Sequence, residues 1–481
     1  VTAPTHRSAT ELIADLEARR VSARELLEAH LERHEQVHPR LNAVVATDLD
    51  RARADAAAID TARARGERVG PLAGLPMTVK DGFDVAGLPA VSGVPAFVNR
   101  PAGCADADVV AAARRDGAVI WGKTNVPVML GDFQSFNDVY GTSNNPYDVT
   151  RTCGGSSGGA AAALAAGVTP LEIGSDVGGS LRHPAGFCGV QSLKPTFGAL
   201  SMRGSVPPGP GSHVREDLWV AGPMARTAAD LRLLWNVLAG RPAAPEEPVA
   251  GGRVALWLDE PEFAVSAEVR AGVETAAAAL RGHGVVVEPV SAPVPAAELM
   301  DVYTALLMPT LATWFPDDVY AGLLAARPAA EQALAAGADR YGPAGFTVAA
   351  TAGHRAVARA RVARQVLKER FAAWLDEGGW DAVLCPISPV PAFTHRHEGS
   401  VSDRVLEVDG REIPYAKMLD WIALAAALHA PALAAPVSRT AAGLPVGVQL
   451  VGRWGAEDRL LDHAVAFERA TGGFRPPPEI A

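Results

Sequence analysis

Cys153-Gly154-Gly155-Ser156-Ser157-Gly158-Gly159 is followed, 24 residues on from Ser156, by the serine of Gly178-Gly179-Ser180-Leu181-Arg182. Two serines therefore sit in two separate glycine clusters. Glycine admits backbone conformations that other residues avoid and lets main-chain N–H groups approach a ligand closely, so such clusters suit an oxyanion hole. A serine inside one is a candidate nucleophile, and Ser156 and Ser180 both qualify. Upstream, Gly74-Leu75-Pro76-Met77-Thr78-Val79-Lys80-Asp81 ends a short apolar run on a lysine. A lysine titrates near ~10.4 in water and serves as a base near neutral pH only where its surroundings depress that value. The apolar residues before Lys80 are consistent with such desolvation.

Outward from this stretch the pattern alternates. Ser8-Ala9-Thr10-Glu11 and Ser22-Ala23-Arg24-Glu25 have the form of a capping box and predict two N-terminal helices, with an Ala- and Arg-rich third over 48–65. A strand at 77–79, a helix over 109–115 and a strand over 118–121 give the alternation of an α/β sheet. Residues 160–166 read as an alanine-rich helix whose first-turn N–H groups face the first cluster and favour negative charge there. A Pro- and Gly-rich loop occupies 241–252, and strands resume at 254–258, 285–290, 383–386 and 446–451. Residues 296–373 read as helical and carry Trp314, Phe315, Tyr320 and Tyr341.

The 481 residues are 48% hydrophobic and 20% charged, the balance of a folded enzyme and not of a disordered chain. A formal net charge of −10 argues against a nucleic-acid partner, because phosphate binding needs clustered Lys and Arg. Cys104, Cys153, Cys188 and Cys385 show no C-x-x-C spacing, which suggests neither a zinc knuckle nor a redox pair and fits a reducing cytoplasm. The opening Val1-Thr2-Ala3-Pro4-Thr5-His6-Arg7 lacks the apolar core of a signal peptide, and no apolar run of about eighteen residues occurs, so no membrane association is expected.

Together with Pro71-Leu72-Ala73-Gly74, Gly122-Lys123-Thr124-Asn125, Tyr140-Gly141-Thr142-Ser143-Asn144-Asn145-Pro146 and the closing Gly443-Leu444-Pro445-Val446-Gly447-Val448-Gln449-Leu450-Val451-Gly452, these segments resemble the amidase signature family of serine hydrolases. The resemblance implies one α/β domain over 1–481, built on a large twisted mixed β-sheet covered on both faces by helices. Within it, 1–70 supplies N-terminal helices, 71–240 the signature core, 296–373 a variable helical segment shaping the substrate pocket, and 380–475 a return to the core sheet. It also implies hydrolysis of a small-molecule amide without metal or cofactor, and a homodimer.

Residue by residue, the resemblance assigns Ser180 as the nucleophile that forms an acyl-enzyme, Ser156 as a proton relay on a cis peptide bond, and Lys80 as the base. The N–H groups of Val177, Gly178, Gly179 and Ser180 would hold the oxyanion. Asp176 and Arg182 match positions that orient this loop, with Ser157 and Ser175 adding hydrogen bonds; a purely structural polar pair is the other reading. Met129-Leu130-Gly131-Asp132 occupies the place where members line the acyl pocket, although Asp132 also reads as a solvated loop carboxylate. Val177 and Leu181 replace the family's usual threonine and isoleucine conservatively. The aromatic residues of 296–373 serve either substrate selectivity or helix packing alone.

Two other readings compete. Gly154-Gly155-Ser156-Ser157-Gly158 fits the G-x-S-x-G elbow of α/β-hydrolase esterases, with Ser156 as nucleophile, yet Asn144 to Thr152 reads as polar loop where that fold needs an apolar strand. A glutaminase subunit of a tRNA-dependent amidotransferase would share the scaffold; the proline-rich Phe197-Gly198-Ala199-Leu200-Ser201-Met202-Arg203-Gly204-Ser205-Val206-Pro207-Pro208-Gly209-Pro210 looks more like stand-alone amidases. Gly122-Lys123-Thr124 mimics the end of a P-loop without its leading glycine. His183, His213, His395, His397 and His429 have no zincin spacing and read as surface or supporting residues, and Cys153 and Cys188 as bystanders.

Overall fold

Both N-terminal capping boxes close. Ser8 Oγ accepts from Glu11 N at 3.2 Å while the Glu11 carboxylate accepts from Ser8 N at 2.9 Å, and Ser22 and Glu25 repeat the exchange at 3.1 and 2.9 Å. They start the helices Ala9–Glu17 and Ala23–Leu41, and Asp48 caps the third, Leu49–Ala64. The computed structural model describes residues 4–103, 105–207, 214–242 and 244–478. Val1 to Ala3, Cys104, Pro208 to Pro210 and His213 lie outside the described residues.

The main sheet has eleven strands among the described residues: β1 Val44–Thr47, β2 Pro76–Lys80, β3 Val119–Thr124, β4 Leu171–Asp176, β5 Gln191–Lys194, β6 Val220–Ala225, β7 Arg253–Leu256, β8 Val286–Pro289, β9 Ala382–Pro386, β10 Ala432–Arg439 and β11 Pro445–Gly452. Their order across the sheet is β1-β3-β2-β4-β6-β5-β10-β11-β9-β7-β8. Parallel pairs (β2 with β3 and β4, β7 with β8 and β9) flank an antiparallel middle that runs from β4 to β9, so the sheet is mixed as the resemblance implies. Every residue of β2, β3, β4, β5, β6 and β9 is buried. Successive side chains point to opposite faces, so burial of all of them requires cover on both faces.

Residues 296–373 form four helices, Ala296–Ala312, Asp317–Ala335, Pro343–Ala350 and His354–Gly378. One expectation is corrected: Asp148–Thr152, read as loop, is a strand paired with Asn144–Asn145, because Val149, Thr150 and Thr152 favour extended backbone. It belongs to a two-stranded hairpin apart from the main sheet, so the central apolar strand that a nucleophile elbow needs is not what precedes Gly154. Among the described residues no helix is long and apolar enough to cross a membrane.

The feature that positions the site is the parallel pairing of β2 and β4, in register at Thr78 opposite Glu172 and Val79 opposite Ile173. Both strands end at the same edge of the sheet. Lys80 closes β2, and the chain leaving β4 after Asp176 enters Val177-Gly178-Gly179-Ser180 beside it.

Candidate active site

Lys80 is wholly buried. Its Nζ donates to Ser156 Oγ at 2.7 Å, to Ser175 Oγ at 2.9 Å and to Ser175 O at 3.4 Å. Loss of hydration pushes the amine down to about 7, while the charges of Asp176 and Glu172 pull the other way. A lysine so placed gives up its proton far more readily than one in water.

Ser156 follows a cis peptide bond from Gly155. The loop around it is packed to the backbone: a Cβ on Gly155 would lie 2.5 Å from Asp132 O, which only glycine avoids. Ser135 fastens the loop, its Oγ accepting from Gly158 N at 3.1 Å and donating to Gly154 O at 3.0 Å. Ser157 N donates to Ser180 O at 3.1 Å, so the two glycine clusters of the sequence meet. The Ser157 hydroxyl donates to Ser175 O at 3.3 Å.

The second cluster is held by Asp176 and Arg182, both fully buried. Asp176 Oδ1 accepts from Gly179 N at 2.9 Å and Oδ2 from Leu181 N at 3.1 Å, fixing the turn that presents Ser180. Arg182 grips the same carboxylate through Nη2 and Nε at 2.9 and 3.1 Å. Burial opposes ionisation of Asp176, yet Arg182 holds it well below the usual carboxylate range. Gly179 has φ +88, and a Cβ there would lie 2.5 Å from His183 Cε1, which is buried beneath the turn and not at the surface. With Gly179 N engaged by Asp176, the donors that remain in the loop are those of Val177, Gly178 and Ser180.

Ser180 lines a cavity of about 450 Å³, shared with Val177 and Gly178. Met129, Leu130, Gly131 and Asp132 line it too, as does Trp219. Trp314, Phe315 and Tyr341 of residues 296–373 also line it, with Met308 and Phe346; Tyr320 is not among the lining residues. Met129 and Leu130 have φ 52 and 59, a left-handed pair that non-glycine residues rarely adopt. Asp132 is not a solvated loop carboxylate: Arg404 Nη1 meets Oδ2 at 2.5 Å and Tyr415 Oη donates to Oδ1 at 2.8 Å. Burial nonetheless pushes Asp132 upward against those two partners.

Other expectations resolve simply. Lys123 Nζ pairs with buried Asp81 at 2.6 Å and donates to Pro89 O, a structural ion pair. His429 pairs with Asp217 at 2.9 Å. Cys153 and Cys188 are buried thiols, and desolvation raises both. Three contributors carry little sequence signal. Ser135 and Arg404 stand in unremarkable polar runs, while Gln449 is a polar residue inside the apolar β11, where its Oε1 accepts from Arg182 at 2.9 Å and its amide donates to Pro386 O and Trp421 O.

A family model described as Amidase matches residues 25–461. A glutamyl-tRNA(Gln) amidotransferase subunit from Synechococcus sp. (strain CC9605) is 32% identical, over 97% of this chain and 96% of the relative. The crystal structure of an amidase superposes with a TM-score of 0.80 at 30% identity, covering 97% of this chain and all of that one. A bacterial aryl acylamidase of the amidase signature family superposes with a TM-score of 0.78 at 26% identity, over 97% and 96% of the two chains. Buried lysine, paired serines and mixed sheet thus come with a match across nearly the whole length, and the chain belongs to the amidase signature family of amide hydrolases.

Proposed function

We propose that the chain is a stand-alone amidase that cleaves small apolar amides through an acyl-enzyme on Ser180. The observation that carries this reading is the 2.7 Å hydrogen bond from Lys80 to Ser156 in a site that lowers the lysine to about 7. Neutral Lys80 takes the Ser156 proton as Ser156 takes that of Ser180, whose oxygen attacks the amide carbon. The carbonyl oxygen becomes an oxyanion held by the N–H groups of Val177, Gly178 and Ser180. The proton returns through Ser156 to the departing amine, and water then repeats the sequence on the ester. Asp176 and Arg182 keep the loop in place without touching the substrate.

The cavity walls favour an apolar acyl or amine group. They are mostly aliphatic and aromatic, and the ionic groups on them are already engaged, Asp132 by Arg404 and Arg340 by Asp301. A glutamine would bring an α-ammonium and an α-carboxylate, each costly to bury without a partner. The variable segment 296–373 then acts as part of one domain, setting which group enters. In the same reading the enzyme works without nucleic acid or cofactor, as a cytoplasmic homodimer, in keeping with the buried free thiols of Cys153, Cys188 and Cys385.

The second reading, a glutaminase subunit, draws on the similarity to the amidotransferase of Synechococcus. Assaying aryl amides, aliphatic amides, glutamine and asparagine side by side separates the two. Turnover of an aryl amide by the chain alone supports the proposal; ammonia release from glutamine with no aryl-amide turnover overturns it.

A further inference from the structure

Tyr303 lies in the helix Ala296–Ala312, in the segment that matches the family pattern least, and it is wholly buried. Its hydroxyl donates to Val177 O at 2.8 Å. That carbonyl belongs to the same peptide unit as the N–H of Gly178. A trans peptide is planar, with its C=O and N–H pointing in opposite directions. A donor behind the carbonyl of Val177 therefore fixes the direction in which Gly178 N–H points on the other side.

The contact is close. A Cβ built on Gly178 would stand 3.7 Å from Tyr303 Oη and 3.3 Å from Leu419 Cδ2, so the phenol and the loop are packed together. A buried hydroxyl is costly unless it finds an acceptor, and phenylalanine would fill nearly the same space at no such cost. The hydroxyl is thus spent on one backbone oxygen, at the loop beside Ser180. Hydrogen bonds in series also polarise one another, so a donor to the carbonyl strengthens the N–H of the same unit.

We propose that Tyr303 is a positioning residue for the oxyanion: it aims and strengthens Gly178 N–H as a donor to the negative charge that develops on the substrate carbonyl. Tyr303 does not touch the substrate. The neighbouring Thr304 and Leu307 line the cavity, so one helix both borders the space a substrate would fill and braces the donor loop. The proposal rests on Ser180 as the nucleophile.

The test is the reaction of the full chain with octyl fluorophosphonate, whose P=O oxygen occupies the oxyanion position, followed by peptide mapping. Tyr303→Phe is expected to lower the rate constant of inactivation about tenfold, the worth of one hydrogen bond expressed in the transition state, while KI stays within twofold. A rate constant within twofold of the wild type overturns the proposal, as does a loss carried by KI. If the wild-type adduct is not on Ser180, the nucleophile assignment fails and this proposal fails with it, a result separable from a normal Ser180 adduct that is indifferent to Tyr303. Should Tyr303→Phe not fold, trifluorotyrosine at position 303 keeps the shape and makes a stronger donor. Faster inactivation then supports the role, and an unchanged rate overturns it.

Discussion

Lys80 Nζ stands 2.7 Å from Ser156 Oγ at the shared edge of β2 and β4, and its other described partners, Ser175 Oγ and Ser175 O, are also uncharged oxygens. With no carboxylate in direct contact, loss of hydration outweighs the pull of the Asp176 and Glu172 charges, and the amine falls to about 7. The base must be neutral to accept a proton. Activity is therefore expected to rise about tenfold per pH unit below pH 7 and to level off above it. Lys80→Met, which keeps the length of the side chain and cannot accept a proton, should lose about 10³-fold or more in kcat while circular dichroism shows it folded, and Lys80→Arg, which stays protonated, should be as inactive and less stable. A pH–rate profile with a flat acid limb, or wild-type turnover in Lys80→Arg, removes the lysine from the mechanism.

The two serines differ in what they face. Ser180 opens on the cavity, whereas Ser156 is 1% exposed and bonded to the lysine. Ser180→Ala should abolish covalent labelling by a fluorophosphonate. Ser156→Ala should leave the label on Ser180 and slow its formation about 10²- to 10⁴-fold, the usual cost of losing a proton shuttle. Intact mass and peptide mapping distinguish the pair, and label on Ser156 in the wild type would revive the elbow reading.

Much of this site is written locally and much is not. The capping boxes at Ser8 and Ser22 and the apolar run into Lys80 are short-range signals, legible because each depends on neighbours in sequence. β4 and β6 are harder to see, since Leu171-Glu172-Ile173-Gly174-Ser175-Asp176 and Val220-Ala221-Gly222-Pro223-Met224-Ala225 carry glycine, proline and acids that disfavour strands. Tertiary packing overrides that preference. A Cβ on Gly222 would meet Leu193 O at 2.2 Å, so the glycine serves close strand contact. The engagement of Asp132 by Arg404 joins residues 272 apart, which no local pattern reports. Ser175 reads as support from its place in the resemblance, yet it shares Lys80 directly with Ser156.

The Asp176–Arg182 pair is fully buried, and each partner depends on the other. Asp176→Asn leaves the guanidinium without its counter-charge and is expected to cost about 3 to 5 kcal/mol of stability. Arg182→Lys cannot reproduce the two-pronged grip and the bonds to Ile422 O and Gln449 Oε1, so it too should destabilise. Urea denaturation measures both. A loss under about 1 kcal/mol in Asp176→Asn would mean that the turn stands without its charge pair.

The aromatic residues of 296–373 test the substrate reading. Phe315 and Phe346 lie with ring centroids 6.2 Å apart, and Tyr341 donates a 2.8 Å hydrogen bond to Asp420 behind the lining, so this wall is packed within itself and anchored at Tyr341. Trp314 is half-buried and borders the same space. Removing its ring takes away apolar surface that a bulky substrate group would cover, worth about 1 to 2 kcal/mol for a partial overlap. Trp314→Ala should therefore raise KM for an aryl amide roughly tenfold and leave KM for acetamide, which is too small to reach it, within about twofold. Equal losses for both substrates would return these aromatics to helix packing alone. A gain for glutamine relative to the aryl amide would favour the glutaminase reading. A selective loss for the large substrate ties residues 296–373 to the choice of what enters the cavity beside Ser180.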